Sequence, residues 1–182
     1  MKFKVFRFRK IKSTNNTAIR LIKKTNFKNG MVTTNQQTNG KGQYGRKWIS
    51  FKGNLFVSFF FKLDNLTISI KKLTKINCFL VKKLLSIYYR NKITYKKPND
   101  LLIDKKKICG ILQETVSKLD EKYLVVGIGI NLKKNPKLIN YPTTNLKELI
   151  GQNLLKKKIE IQLKNIFERG LKDIYKKKID IL

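Results

Sequence analysis

The chain has 182 residues, 41% of them hydrophobic, which suits one domain with a core of its own. Its 42 Lys and Arg against 11 Asp and Glu give a formal charge of +31, and it contains no histidine. That absence excludes Ser-His-Asp and Cys-His nucleophile systems and any His-ligated metal. Catalysis must then rely on positioning, on lysine or arginine, on carboxylates and on a magnesium carried by a substrate.

No apolar run is long enough to span a bilayer, and Met1 to Lys10 interleaves apolar with basic residues without a cleavable apolar block. The expected setting is the cytoplasm, away from any membrane. Cys78 and Cys109 lack the paired spacing of a zinc site and read as reduced core residues. The charge invites a nucleic-acid reading, because clustered cations neutralise phosphates and release counterions. Here the lysines are spread almost evenly among abundant Ile and Asn, as a bias towards A- and T-rich codons would leave them. Such a surface still draws anions: nucleotides, small carboxylates or an acidic partner protein.

Phe3 to Phe8, rich in aromatic and β-branched residues, reads as a first strand. Ser13-Thr14-Asn15-Asn16 then offers capping side chains to a helix whose apolar positions are Ala18, Leu21 and Ile22. The mouth of that helix also has free N–H groups suited to an anion or a polar ligand group, so capping and binding need not compete. Met31 to Thr34 reads as a short strand, followed by Asn35 to Trp48. Between Gly40 and Trp48, three glycines, two lysines and an arginine make a backbone that can approach phosphate oxygens while its side chains neutralise them. The Walker A spacing is missing. The segment is either a plain connection or a lid hinged on glycine, and Trp48 either a core anchor or a wall for a flat ring.

Asn54 to Lys62 is apolar on both faces, hence central in its sheet. From Ile68 to Tyr89, Leu73, Ile76, Phe79, Leu80, Leu84, Ile87 and Tyr88 fall at helical spacing, predicting a helix that covers one sheet face. Ile93 to Tyr95 is a strand leading into Lys96-Lys97-Pro98-Asn99-Asp100. Proline biases Lys97 towards extended structure, while Asn99 and Asp100 can bond to their own backbone in a turn. Leu101 to Ile103 and Ile108 to Leu112 then pair as a hairpin across Asp104 to Lys106. Lys107 sits where the second strand begins. It is either one more surface lysine or a cation held on a rigid element and aimed at developing negative charge. Lys122 to Asn131 is a buried strand whose glycines allow close approach, and Gly127-x-Gly129 lacks the third glycine of a dinucleotide fingerprint. Pro142 to Ile150 is a loop and short helix, and Ile159 to Lys177 a helix with a lysine-rich exposed face.

In these blocks the chain resembles the catalytic domain of biotin protein ligases, which activate biotin with ATP and attach it to a carrier lysine. The matching stretches, in order, are Ser13-Thr14-Asn15; Gln37 to Trp48, like Q-T-A-G-R-G-R-x-G-R-x-W; Lys96 to Glu114, like K-W-P-N-D followed by R-K-x-x-G-I-L-x-E; and Gly127 to Asn131, like G-x-G-I-N. The resemblance implies an α+β fold, a mixed β-sheet with helices packed mainly on one face. It implies one catalytic domain over 1–182, with neither an N-terminal DNA-binding domain nor a C-terminal SH3-like barrel, so no DNA is expected as a partner.

By position, it implies that Ser13, Thr14, Asn15, Gln37, Lys41, Gly42, Gln43, Lys107 and Gly110 meet biotin. Gly40, Lys41, Gly42, Arg46, Trp48, Asn99 and Asn131 would meet ATP or the adenylate, with Gly40 to Arg46 as the loop that orders over it. Lys107 and Asp100 would be catalytic, with no metal held by protein alone and Mg2+ arriving with ATP near Asp100. The implied partner is the biotin carboxyl carrier protein of acetyl-CoA carboxylase or a related carboxylase, and a homodimer is one assembly open to the chain. Three positions depart from the pattern. Gln43 and Lys41 replace loop arginines, losing respectively the charge and the bidentate fork, and Lys97 replaces tryptophan. The rival readings are a lipoate or octanoate ligase or transferase of the same fold and, from another class, a non-catalytic basic nucleic-acid binder.

Overall fold

The computed structural model describes residues 1–63, 68–138 and 141–176. A seven-stranded sheet is built from β1 (Lys4–Phe8), β2 (Asn29–Thr34), β3 (Leu55–Lys62), β4 (Ile93–Lys96), β5 (Asp100–Ile103), β6 (Lys106–Lys118) and β7 (Glu121–Ile130). Its spatial order is β1-β2-β3-β7-β6-β5-β4. β1 and β2 run parallel, joined through α1 (Thr14–Lys24), and every other neighbouring pair is antiparallel. The sheet is therefore mixed, as expected.

β3 is buried on both sides because both sheet faces are covered. Leu55, Val57, Phe59 and Phe61 join the core under α2 (Ile70–Leu85) and α4 (Lys156–Tyr175), whereas Phe60 joins Val32 and Val125 beneath Ala18 and Ile22 of α1. The two long helices thus share one face, and α1 takes the other, where it leaves room beside it. On α2 the stripe Leu73, Ile76, Leu80 and Leu84 is buried as read. Phe79 is not: it is 63% exposed, and Ile87, beyond the end of the helix, is 54% exposed. Phe79 lies off the axis of that stripe, a position the apolar spacing alone does not separate from it. Helix α4 begins at Lys156, a turn before the predicted Ile159, and the predicted end at Lys177 lies outside the described residues. Both cysteines are free and buried. No helix among the described residues is long and apolar enough to cross a membrane.

Glu168 of α4 fastens the edge strand's entry to the helix layer. Its Oε1 accepts from the Phe3 N–H at 2.7 Å and from Lys164 Nζ at 2.8 Å, and Phe3 itself packs on Phe59. Burial alone would raise the Glu168 carboxyl, but the Lys164 ammonium and the Phe3 N–H outweigh it and hold the group below the usual carboxylate range. A depressed folded value means stability that is present above the unfolded value and lost as pH falls through the folded one. Glu168→Gln is therefore expected to cost about 1 kcal/mol at neutral pH, the gap to wild type closing as pH falls through the lowered folded value. Urea unfolding as a function of pH checks both statements.

Candidate active site

The corner between β4 and β5 and the hairpin between β5 and β6 supply the charged centre. The hairpin turn is two residues, Asp104 (φ 48°) and Lys105 (φ 61°), the pair of left-handed conformations that matches the twist of the flanking strands. Pairing along β5 and β6 then jumps from Leu102 opposite Lys107 to Leu101 opposite Cys109, leaving Ile108 as a bulge. The bulge decides where the lysine points. Gly110 and Leu112 face the α1 side, while the Cys109 and Ile111 side chains lie in the core under α2 and α4. Unbroken alternation would send Lys107 the same way as Cys109 and Ile111, into the core. One extra residue reverses that, and Lys107 joins Gly110 on the open face.

The Lys107 ammonium lies 2.8 Å from Asp100 Oδ1, and 5.3 Å from the ring centroids of both Trp48 and Tyr141. The other Asp100 oxygen accepts from the Tyr141 hydroxyl at 2.6 Å. Contrary to the expectation from the sequence, the Asn99 and Asp100 side chains do not bond to their own backbone in the turn. The Asn99 side chain instead donates to Ile111 O at 2.5 Å, and Asn99 O accepts from the Ile111 N–H at 3.0 Å, stitching the corner to β6. Long-range partners outcompeted the local bond.

Across the cavity, Ser13 caps α1, its hydroxyl accepting from the Asn16 N–H at 3.4 Å. Gln37 Oε1 accepts from both the N–H and the hydroxyl of Thr14, at 2.8 and 3.1 Å, and its amide donates to Ser50. Asn15 is buried among protein partners, donating to Glu114 Oε2 at 2.6 Å and to Leu112 O at 3.4 Å and accepting from Ser58 Oγ at 2.5 Å. Gly127 leaves the space Asn15 needs, since a Cβ there would stand 2.2 Å from Asn15 Oδ1. Gly129 does the same for Trp48, whose indole lies where a Cβ would meet it at 2.4 Å. Trp48 is thus a wall rather than a core anchor: half-buried, it packs on the floor of the site and lines its cavity.

The glycine-rich loop is a closed, hairpin-like unit. Trp48 N–H donates to Gly40 O at 2.9 Å, Gly42 N–H to Arg46 O at 2.7 Å, and Lys41 bridges Lys47. At its tip Tyr44 (φ 54°) and Gly45 (φ 74°) both take left-handed conformations.

These elements enclose a cavity of about 520 Å³. Ser13, Thr14, Asn15, Gln37 and Gly110 line it together with Lys107. So do Lys41, Gly42, Gln43, Arg46 and Trp48 of the loop, and Asn99, Asp100 and Asn131. Gly40 does not. It is buried at the base of the loop, where a Cβ would lie 2.5 Å from Trp48 O, and it borders a smaller recess on the loop's other side. Its backbone carbonyl accepts from the Trp48 N–H and closes the loop.

Three contributors went unread in the sequence. Tyr141 reaches Asp100 from the segment after β7, as described. Thr143 sits beside Lys107 in a parallel bridge, so the segment continues the sheet past the end of β7. Asn54, fully buried, accepts from the N–H groups of Leu132, Lys133 and Lys134 and donates to Lys134 O at 2.7 Å, folding the chain back after Asn131. Asn131 in turn donates to Thr144 O at 3.1 Å. The only sequence signal for Asn54 was a polar residue between Gly53 and the apolar run of β3.

Neither cysteine competes for the chemistry. Burial pushes the Cys78 thiol up to about 12 and Cys109 well above its ordinary value, so neither is poised to react. Among the described residues no three His, Cys, Asp or Glu gather as a metal seat. Asp100 pairs with the Lys107 ammonium at one oxygen and accepts from the Tyr141 hydroxyl at the other.

A strand-held ammonium, a capped helix mouth and a glycine-rich basic loop thus share one cavity. The model of the biotin/lipoate A/B protein ligase family matches residues 7–131, well over half the chain. The chain belongs to that family. The bifunctional ligase/repressor BirA of Escherichia coli is 32% identical over 124 residues, covering 67% of this chain and 38% of that protein. The protein of the same name from Salmonella typhimurium is 30% identical over 166 residues, covering 87% and 52%. The chain thus spans about half, or less, of the length of these curated relatives. Among solved structures, biotin protein ligase from Aquifex aeolicus in complex with biotin and ATP superposes with a TM-score of 0.80 at 27% identity, over 93% of this chain and 71% of that one. A bipartite lipoate protein ligase from Thermoplasma acidophilum shares the fold, with a TM-score of 0.66 at 12% identity over 94% and 84%. The α+β, mixed-sheet fold of the family is the fold of this chain.

Proposed function

We propose that this chain is an ATP-dependent biotin protein ligase, which forms biotinyl-5′-AMP and transfers biotin to a lysine of a biotin carboxyl carrier protein. The observation that carries the reading is the Lys107 ammonium, aimed by the Ile108 bulge into the cavity it shares with Ser13 and Gln37. In the first half reaction a biotin carboxylate oxygen attacks the α-phosphorus of ATP and pyrophosphate leaves. Negative charge gathers on the phosphoryl oxygens, and a fixed ammonium stabilises it without reorganising. Magnesium would come with the triphosphate and offset charge there. In the second, the neutral amine of the carrier lysine attacks the mixed anhydride carbonyl, AMP leaves and the amine proton is released. The enzyme's part is to hold the anhydride and shield it from water.

Biotin is favoured over lipoate by the likeness to biotin ligases at 27% identity against 12% for the lipoate ligase. Incubation with ATP, labelled biotin and a biotin carboxyl carrier domain tests the whole reaction. Label on the carrier lysine, with none from labelled lipoate on a lipoyl domain, is expected; the reverse pattern overturns the reading.

Gln43 also lines the cavity, at a position where an arginine would add a cation and a fork of donors to phosphate. Wild type is therefore expected to release more free biotinyl-AMP than Gln43→Arg does, on the order of tenfold for one charged hydrogen bond. Equal release by the two proteins, measured as free adenylate or as biotin on bystander lysines, contradicts this.

A further inference from the structure

We propose that Tyr141 is a positioning residue for adenylate formation: by holding one oxygen of Asp100 it keeps the other against the Lys107 ammonium and sets where that charge stands. The proposal rests on the ligase reading and deepens it. The two side chains are tied together twice. Along the main chain, the Lys107 N–H donates to Pro142 O at 2.8 Å and Lys107 O accepts from the Thr144 N–H at 3.0 Å, so the segment carrying the phenol is bonded directly to the residue carrying the ammonium. At their tips both meet Asp100, the phenol on Oδ2 at 2.6 Å and the ammonium on Oδ1 at 2.8 Å.

A carboxylate bonded at one oxygen can still turn about its terminal torsion, which is broad for Asp. The phenol's hydrogen bond on one oxygen and the ion pair on the other stop that turn and fix the ammonium's anchor. The Tyr141 ring adds a second restraint, its centroid 5.3 Å from Lys107 Nζ and 4.3 Å from Lys96 Nζ. Burial first, and Asp100 second, push the phenol above its ordinary value, so it stays a protonated donor through the neutral range.

Tyr141→Phe keeps the ring and both cation contacts and removes only the hydroxyl. Two rates separate positioning from plain structural support: biotin-dependent pyrophosphate exchange, and transfer to a carrier lysine from chemically made biotinyl-AMP. The variant is expected to lose about tenfold in kcat for exchange, the size of one charge-assisted hydrogen bond, with KM for biotin and ATP unchanged. Transfer from ready-made adenylate is expected to stay at the wild-type rate. In an Asp100→Asn background, the same substitution is expected to cost almost nothing more, because the two groups act as a unit. Unchanged kcat, equal loss in both half reactions, a rise in KM at constant kcat, or full additivity with Asp100→Asn each overturns the positioning role. A wild-type chain without biotin-dependent exchange overturns the ligase reading itself, and this role with it.

Discussion

Lys107→Met is expected to slow biotin-dependent pyrophosphate exchange by about 100- to 1,000-fold, the usual consequence of removing one preorganised donor from a developing anion. Methionine keeps the length of the stem and deletes the charge, so packing over Gly110 is largely preserved. The loss should fall on kcat rather than on KM for ATP, because the charge that the ammonium meets is greatest in the transition state. Lys106→Met is the control: Lys106 is exposed and does not line the cavity, so exchange should be close to wild type. Lys107→Arg should recover only part of the rate. A planar fork cannot stand where a point charge stands, and a Cβ at Gly110 would already lie 3.1 Å from Lys107 Cε, a measure of how tight the floor is. If Lys106→Met and Lys107→Met slow exchange equally, the net charge of the chain is responsible and not the aimed ammonium.

Phe167→Ala is expected to destabilise the fold by about 3–5 kcal/mol, the range for removing a large buried aromatic from a packed core. Phe167 is fully buried, and its ring stacks on Phe59 of β3 at 4.3 Å between centroids and 6° between planes. Phe59 in turn packs on Phe3, so the three rings join α4, β3 and the entry to β1. The cavity left behind touches both the helix layer and the sheet, and neither can collapse into it without disturbing the other. Urea or thermal unfolding measures the loss. A cost below about 1 kcal/mol would mean that the helix layer contributes little to the stability of the sheet.

Much of this architecture was legible because it depends on local pattern. The all-apolar run of β3, the capping residues before α1 and the glycines of β7 each carry their meaning in residue type and spacing. The site was legible where a motif concentrates its residues, as at Gln37 to Trp48 and Lys96 to Glu114. What escaped depends on contacts between segments distant in the chain. The bulge at Ile108 is a matter of pairing register, and nothing in Lys107-Ile108-Cys109 announces it. Tyr141 owes its place to the parallel bridge between Thr143 and Lys107, and Asn54 to three N–H groups beyond β7, neither of which spacing can reveal. Asn99 went the other way: its type suggests a local turn, and a carbonyl on β6 took its donor. Phe79 shows the limit of periodicity, since a helix crowded with apolar residues offers more than one plausible stripe.

The central proposal is that this chain activates the carboxylate of biotin with ATP. Exchange of labelled pyrophosphate into ATP, run with biotin, with lipoate and with neither, tests it most directly. Exchange that requires biotin, is absent with lipoate and falls by two orders of magnitude or more in Lys107→Met, on the scale of one lost preorganised donor, is the predicted result. Exchange independent of biotin, or undiminished in Lys107→Met, contradicts it.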